Sequence, residues 1–113
     1  MKKKDILLIL FAIICCCLIV LFRPVFVQGC SMQPTLKQDD MVICNTLNKN
    51  PKIGDIVIIK PLICFGDDYV IKRVTDIQED KIFIEGDNKD HSFDSRNVGW
   101  IDKSNIFGTI LFM

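Results

Sequence analysis

Between Ile6 and Phe22 the chain carries no charged or strongly polar residue, and this run restricts the folds open to everything that follows it. The run spans 17 residues and is extended past Arg23 by Pro24-Val25-Phe26-Val27. That is enough to cross a hydrocarbon layer of about 30 Å at about 1.5 Å per residue. The expectation is a single membrane-spanning anchor over residues 6–27. A cleaved secretion signal shares the basic start and the apolar stretch, but its apolar core is shorter and ends in a small-x-small site. Here the run closes on Leu21-Phe22-Arg23-Pro24-Val25-Phe26, which offers no such site, so a retained anchor is expected. Lys2, Lys3 and Lys4 precede the run and favour an N-terminus, residues 1–5, on the cytoplasmic side. Residues 28–113 then face outward from the cell membrane, and Arg23 is the one charge that opposes this orientation.

Formal neutrality of the whole chain hides an uneven balance. The anchor region holds Lys2, Lys3, Lys4 and Arg23 against Asp5, whereas the remainder, with 10 basic and 13 acidic residues, is net acidic. Such a domain has no electrostatic footprint for nucleic acid. Cys15, Cys16 and Cys17 lie inside the apolar run and behave there as small hydrophobes. Cys30, Cys44 and Cys64 remain, without Cys-x-x-Cys or His-rich spacing, so no metal site is expected. A Cys44–Cys64 disulfide is left open.

Beyond the anchor, short β-branched segments alternate with turn residues. Met41–Cys44, Asp55–Lys60, Tyr69–Val74, Lys81–Glu85 and Ile106–Met113 read as strands, the last with Gly108 as a weak point or bulge. No second stretch has a useful helical period. The fold class expected is therefore mainly β, a small bent-sheet or barrel-like domain preceded by one N-terminal transmembrane helix. A domain of this size is near the lower limit for a self-sufficient core. Met32, Leu36, Leu62, Ile63 and Phe65 are candidates for an apolar rim resting on lipid.

Ser31, in Gly29-Cys30-Ser31-Met32, is the serine worth testing for chemistry, because it stands just beyond the anchor. A serine hydroxyl is a weak nucleophile at neutral pH and needs a base within hydrogen-bond reach. The single histidine, His91, sits in a polar loop and reads as a solvated side chain. Lysine can serve if burial strips its proton. In Tyr69-Val70-Ile71-Lys72-Arg73-Val74, strand alternation puts Val70, Lys72 and Val74 on one face, so Lys72 is flanked by two valines. Arg73 cannot take the role, since guanidinium does not deprotonate in proteins. Taken alone, the hexapeptide favours an ordinary exposed strand lysine.

The company of that hexapeptide alters the balance. The segments SMQPTL (31–36), GDIVIIK (54–60), YVIKRV (69–74) and GDNKDHSFDSR (86–96) resemble, in order and style, the motif boxes of type I signal peptidases. These are membrane-anchored Ser/Lys endopeptidases that remove signal peptides from exported preproteins. The resemblance implies Ser31 as nucleophile, neutral Lys72 as general base and Ser92 as the hydroxyl that orients the lysine. It implies that Asp87, Asp94 and Arg96 brace the site, with an ion pair between an aspartate and Arg96, and that Met32 lies near the substrate-binding surface. It further implies exported preproteins and membrane lipid as partners, small side chains at the first and third residues before the cut, and no cofactor. The backbone N–H of Ser31 is the implied oxyanion donor.

Several departures qualify the match. Gly29 stands where some members carry a serine that adds a hydroxyl to the oxyanion site, and Cys30 is a rival nucleophile beside Ser31. Thr75 to Glu85 replaces the inserted second domain and the GLPGD-like turn of larger relatives, giving a minimal single-domain form. Two other readings are a dedicated Ser/Lys processing peptidase for a pilus or conjugation precursor, and an inactive membrane-tethered binding domain. The presence of Ser31, Lys72 and Ser92 together argues against the latter.

Overall fold

A computed structural model describes residues 1–112. Helix α1, Lys3–Leu21, is 19 residues long, about 28 Å at 1.5 Å per residue. None of its residues is buried by the rest of the protein, and its mean hydropathy is 2.8. A helix apolar on every side with no protein around it suits a lipid environment, not a soluble core.

The helix stops at Leu21, so residues 22–26 are not its continuation. They form strand β1, Phe22–Phe26, where the sequence reading extends the anchor. Pro24 explains the difference: it has no N–H to offer a helix, and it disfavours helical geometry at Arg23 before it. At the outer position of a sheet the same missing donor is harmless. No linker intervenes between α1 and β1. The last helical carbonyl, that of Leu21, accepts hydrogen bonds from both the N–H (2.9 Å) and the Oγ1 (2.8 Å) of Thr46.

Strands β2 (Met41–Asn45), β3 (Ile56–Ile59), β4 (Val70–Gln78) and β5 (Lys81–Glu85) follow. A short helix α2 (Ser95–Val98), strand β6 (Ile101–Asp102) and strand β7 (Ile106–Phe112) complete the described chain. Among the described residues these seven strands make one antiparallel sheet in the order β1-β2-β7-β3-β4-β5-β6. The protein is mainly β, with the apolar helix ahead of the sheet. Register shifts interrupt the β2–β7, β3–β7 and β4–β5 ladders and supply the places where a bulged sheet bends. The shift on β7 leaves Phe107 unpaired, beside the glycine that the sequence marks as weak. Gly108 has its own reason to be glycine: a Cβ there would sit 2.5 Å from Cys44 Sγ and 2.7 Å from the Asn45 carbonyl oxygen.

β3 is buried along its whole length because it faces two cores. Val57 and Ile59 join Val74, Ile82, Ile84, Ile101 and Ile106 on one side, while Ile56 joins Val27, Met32, Leu36 and Val42 on the other. This division corrects the idea of a lipid-facing rim. Met32 is 1% exposed and Leu36 is equally enclosed, so both belong to the core. Leu62 and Phe65 pack partly on the first cluster, and Ile63 alone of the five, 88% exposed, projects into the surroundings. Cys44 is a buried free thiol and Cys64 an exposed one, so they are not joined.

Candidate active site

Strand alternation places Lys72 on the inner face of β4, opposite Val57 of β3, where only 5% of it is exposed. Burial drives its pKa below the ordinary lysine value; Asp94 pulls it back up, Arg96 pushes it down, and Cys30 raises it slightly. Loss of solvent is the largest influence. The apolar strand face therefore favours the neutral amine at a pH where an exposed lysine is charged.

The Lys72 Nζ donates to Ser92 Oγ at 2.9 Å, and Ser92 in turn donates to Asp94 Oδ2 at 2.6 Å. Asp94 is fully enclosed. It is the N-cap of α2 and accepts from the N–H of Arg96 and of Gly86, and from Nε and Nη2 of the Arg96 guanidinium. Burial alone would raise its pKa. The hydrogen bonds from Arg96, Ser92 and the two backbone donors outweigh that and hold the carboxyl well below the usual carboxylate range. Arg96 is itself fixed by the carbonyl of Lys89 at 2.8 Å. The chain of contacts Lys72–Ser92–Asp94–Arg96 thus sets both the direction of the lysine amine and the charge behind it.

Asp87 belongs to a different pair. Its carboxylate takes a two-pronged contact from Arg73, Nε to Oδ1 and Nη2 to Oδ2 both at 2.8 Å, and also accepts from Thr35 Oγ1. Arg73 additionally donates to the Gly54 carbonyl at 2.7 Å. Adjacent residues of β4 therefore serve two sides: Lys72 faces inward, and Arg73 clamps the loop after β5.

Ser31 lies in the turn between β1 and β2. Met32 and Leu36, driven into the second core, pin the turn from below. Gly29 has φ of +80°, a left-handed conformation that glycine adopts without strain. From the side, the N–H of Asn88 donates to the Ser31 carbonyl at 2.8 Å and its Nδ2 to the Cys30 carbonyl at 3.0 Å. Gly86 makes this approach possible. A Cβ there would overlap the Ser92 hydroxyl and lie 2.5 Å from the Ser31 carbonyl oxygen.

Ser31 and Lys72 line one cleft of about 400 Å³. Its walls come from Arg23–Phe26 of β1 and the two residues after it, Val27 and Gln28, from Met32 and Ile58, from Tyr69–Ile71 and from Phe107. Met32 reaches the cleft while remaining part of the core. His91 is exposed at the end of a 3-10 turn, Lys89–His91, and does not line the cleft. The sequence reading passes over Arg73, Thr35, Gly86 and Asn88 as parts of this assembly. All four lie inside quoted motifs, but the contacts that give them these places (Arg73 and Thr35 with Asp87, Asn88 with Cys30 and Ser31, Gly86 with Ser31) join segments more than ten residues apart.

A family model described as "Signal peptidase, peptidase S26" matches residues 3–75 and 72–113. The chain is 30% identical over 108 residues to mitochondrial inner membrane protease subunit 1 of Xenopus tropicalis, an overlap of 76% of this chain and 65% of that protein. It is 28% identical over 137 residues to signal peptidase I P of Bacillus subtilis subsp. natto, covering 78% of this chain and 74% of the relative.

Proposed function

The chain belongs to the signal peptidase family, peptidase S26, and from that premise we propose that it is a membrane-anchored serine endopeptidase that removes signal peptides from exported preproteins. Ser31 is the nucleophile and neutral Lys72 the general base. The observation that carries this reading is the buried Lys72 amine, hydrogen-bonded to Ser92 Oγ in the cleft that Ser31 also lines.

In this mechanism Lys72 takes the Ser31 proton as Oγ attacks the scissile carbonyl. The tetrahedral intermediate collapses to an acyl-enzyme as the lysine, now charged, returns the proton to the leaving amine. Water then attacks the ester with the same lysine as base. Ser92 and Asp94 supply no proton to the substrate; they aim Nζ and steady the transient ammonium. The Ser31 N–H faces the negative charge that develops on the carbonyl oxygen. Residues 1–5 lie in the cytoplasm, the span begins at about Ile6, and the sheet domain, from β1 onward, works on the outer face, close to the lipid, where precursors emerge.

The test is cleavage of a membrane-presented precursor by the purified full chain in detergent or vesicles. Ser31→Ala and Lys72→Ala each abolish processing while leaving the protein folded and inserted. Normal cleavage by either variant would end the dyad reading, and loss of activity on Cys30→Ser with retention on Ser31→Ala would move the nucleophile by one residue.

A further inference from the structure

Once Ser31 Oγ has attacked a carbonyl, the oxyanion lies beside the N–H of the same residue, and that N–H makes no backbone–backbone hydrogen bond among the described residues. Gly29 offers no side chain that could share the task. The direction of one peptide unit, that joining Cys30 to Ser31, therefore decides how well charge is stabilised. In a trans peptide the C=O and the N–H lie in one plane and point in opposite directions. Whatever fixes the Cys30 carbonyl thus also aims the Ser31 N–H.

Two donors hold that carbonyl. The Gln33 N–H reaches it at 3.1 Å from within the turn, and the Asn88 side-chain amide reaches it at 3.0 Å from the loop after β5. A carbonyl oxygen only accepts, so the amide nitrogen of Asn88 must face it. Asn88 is itself immobilised, by its N–H on the Ser31 carbonyl at 2.8 Å and by its neighbour Asp87, held by Arg73 and Thr35. Donation to the carbonyl also polarises the peptide and makes its N–H a stronger donor.

We propose that Asn88 is a positioning residue for the reaction, fixing and polarising the oxyanion donor through the Cys30–Ser31 peptide. This rests on the peptidase reading above, and it assigns to an uncharged loop side chain a share in transition-state stabilisation. Removing a whole oxyanion donor lowers kcat by about 10²–10³-fold. Misdirecting one lowers it less, so Asn88→Ala reduces kcat about 10- to 100-fold with KM within about twofold. Asn88→Asp keeps the shape and the main-chain contact to Ser31 but cannot donate to the carbonyl; it loses at least as much.

The experiment uses the full chain in detergent, with precursor cleavage for kcat and KM. Two probes accompany it: a peptide aldehyde ending in alanine, which forms a tetrahedral adduct, and the matching product peptide, which does not. Asn88→Ala and Asn88→Asp weaken the aldehyde by the same factor as kcat and leave the product peptide's affinity unchanged, and in Asn88→Ala the midpoint of the rising pH limb also stays put. If Asn88→Ala is too unstable to assay, the nearly isosteric Asn88→Asp carries the comparison. The proposal is overturned by a kcat within about twofold of wild type in Asn88→Asp, or by equal losses for aldehyde and product peptide, which indicate a loosened cleft. Precursor cleavage that survives Ser31→Ala refutes the peptidase reading itself, and the proposal falls with it.

Discussion

Lys72 and Asp94 are opposite answers to the same problem, a titratable group inside protein. Lys72 has lost water and gained one neutral hydroxyl, so its folded pKa lies below its unfolded value of about 10.4. Between those two values the unfolded chain binds more protons than the folded one. Stability therefore rises with pH across that window and carries the full penalty below it. On the mechanism proposed above, activity needs the neutral amine and rises through the same depressed value. Two outcomes follow: the precursor-cleavage rate climbs along a limb well below pH 10, and Lys72→Met, though inactive, melts above wild type at pH 6, with the gap closing toward pH 10. A thermal melt series on both proteins measures this. Asp94 has a depressed folded pKa, so its contribution is fully present above the ordinary carboxylate value of about 3.9 and fades as pH falls below it. Asp94→Ala strands the buried Gly86 N–H and uncaps α2, a loss of about 2–3 kcal/mol. Calorimetry at neutral pH should record a Tm lower by about 10–20 °C, at about 4–8 °C per kcal/mol.

The legibility of these residues differed for physical reasons. Strand period put Lys72 on one face with Val70 and Val74, because alternation is local. The hexapeptide alone favoured an exposed lysine, and only the other motifs turned that face inward, where the structure has it buried. The separation of Asp87 from Asp94 could not be read locally. Both acids sit in one polar loop, and which arginine each meets depends on β4 and the β5 loop folding side by side, a long-range event. Gly86 was equally opaque, since a glycine required by the close approach of Ser92 and Ser31 looks in sequence like any turn glycine. Gly86→Ala is a sharp probe: its methyl displaces the Ser92 hydroxyl, so processing falls at least 100-fold, measured by precursor cleavage, while the far-UV spectrum stays that of the folded domain.

At the scale of elements, the β-branched runs announced β2, β3, β4, β5 and β7 within a few residues of their observed limits. β1 was hidden because its apolar residues continue the hydrophobic run of the anchor. α2 was hidden because four residues carry no periodicity; its start is specified by the Asp94 cap and by the buried Ser95, whose Oγ accepts the Ile84 N–H at 2.9 Å. Gly108 sits where β7 packs tightly against Cys44 and Asn45 of β2. Gly108→Ala drives a methyl into Cys44 Sγ and backbone, and equilibrium unfolding in urea should register a loss of about 1–3 kcal/mol.

For the whole molecule, the decisive feature is that α1 runs into β1 with no residue between them, and Thr46 holds the helix end to the sheet. Arg23, the second residue past the helix, already lines the cleft. A helix that passes into the wall of a cleft with no linker, its end tied by Thr46, carries its tilt toward that cleft. When the bilayer thins, a helix of fixed length leans to keep its apolar surface covered. The cleft leans with it, and its height above the headgroups changes. On the membrane-anchored peptidase reading proposed above, acyl-chain length would then bear on which peptide bonds come within reach. Vesicles that differ only in chain length should shift precursor-processing rates, and Thr46→Val, which removes the hydroxyl from the Leu21 carbonyl, should flatten that dependence.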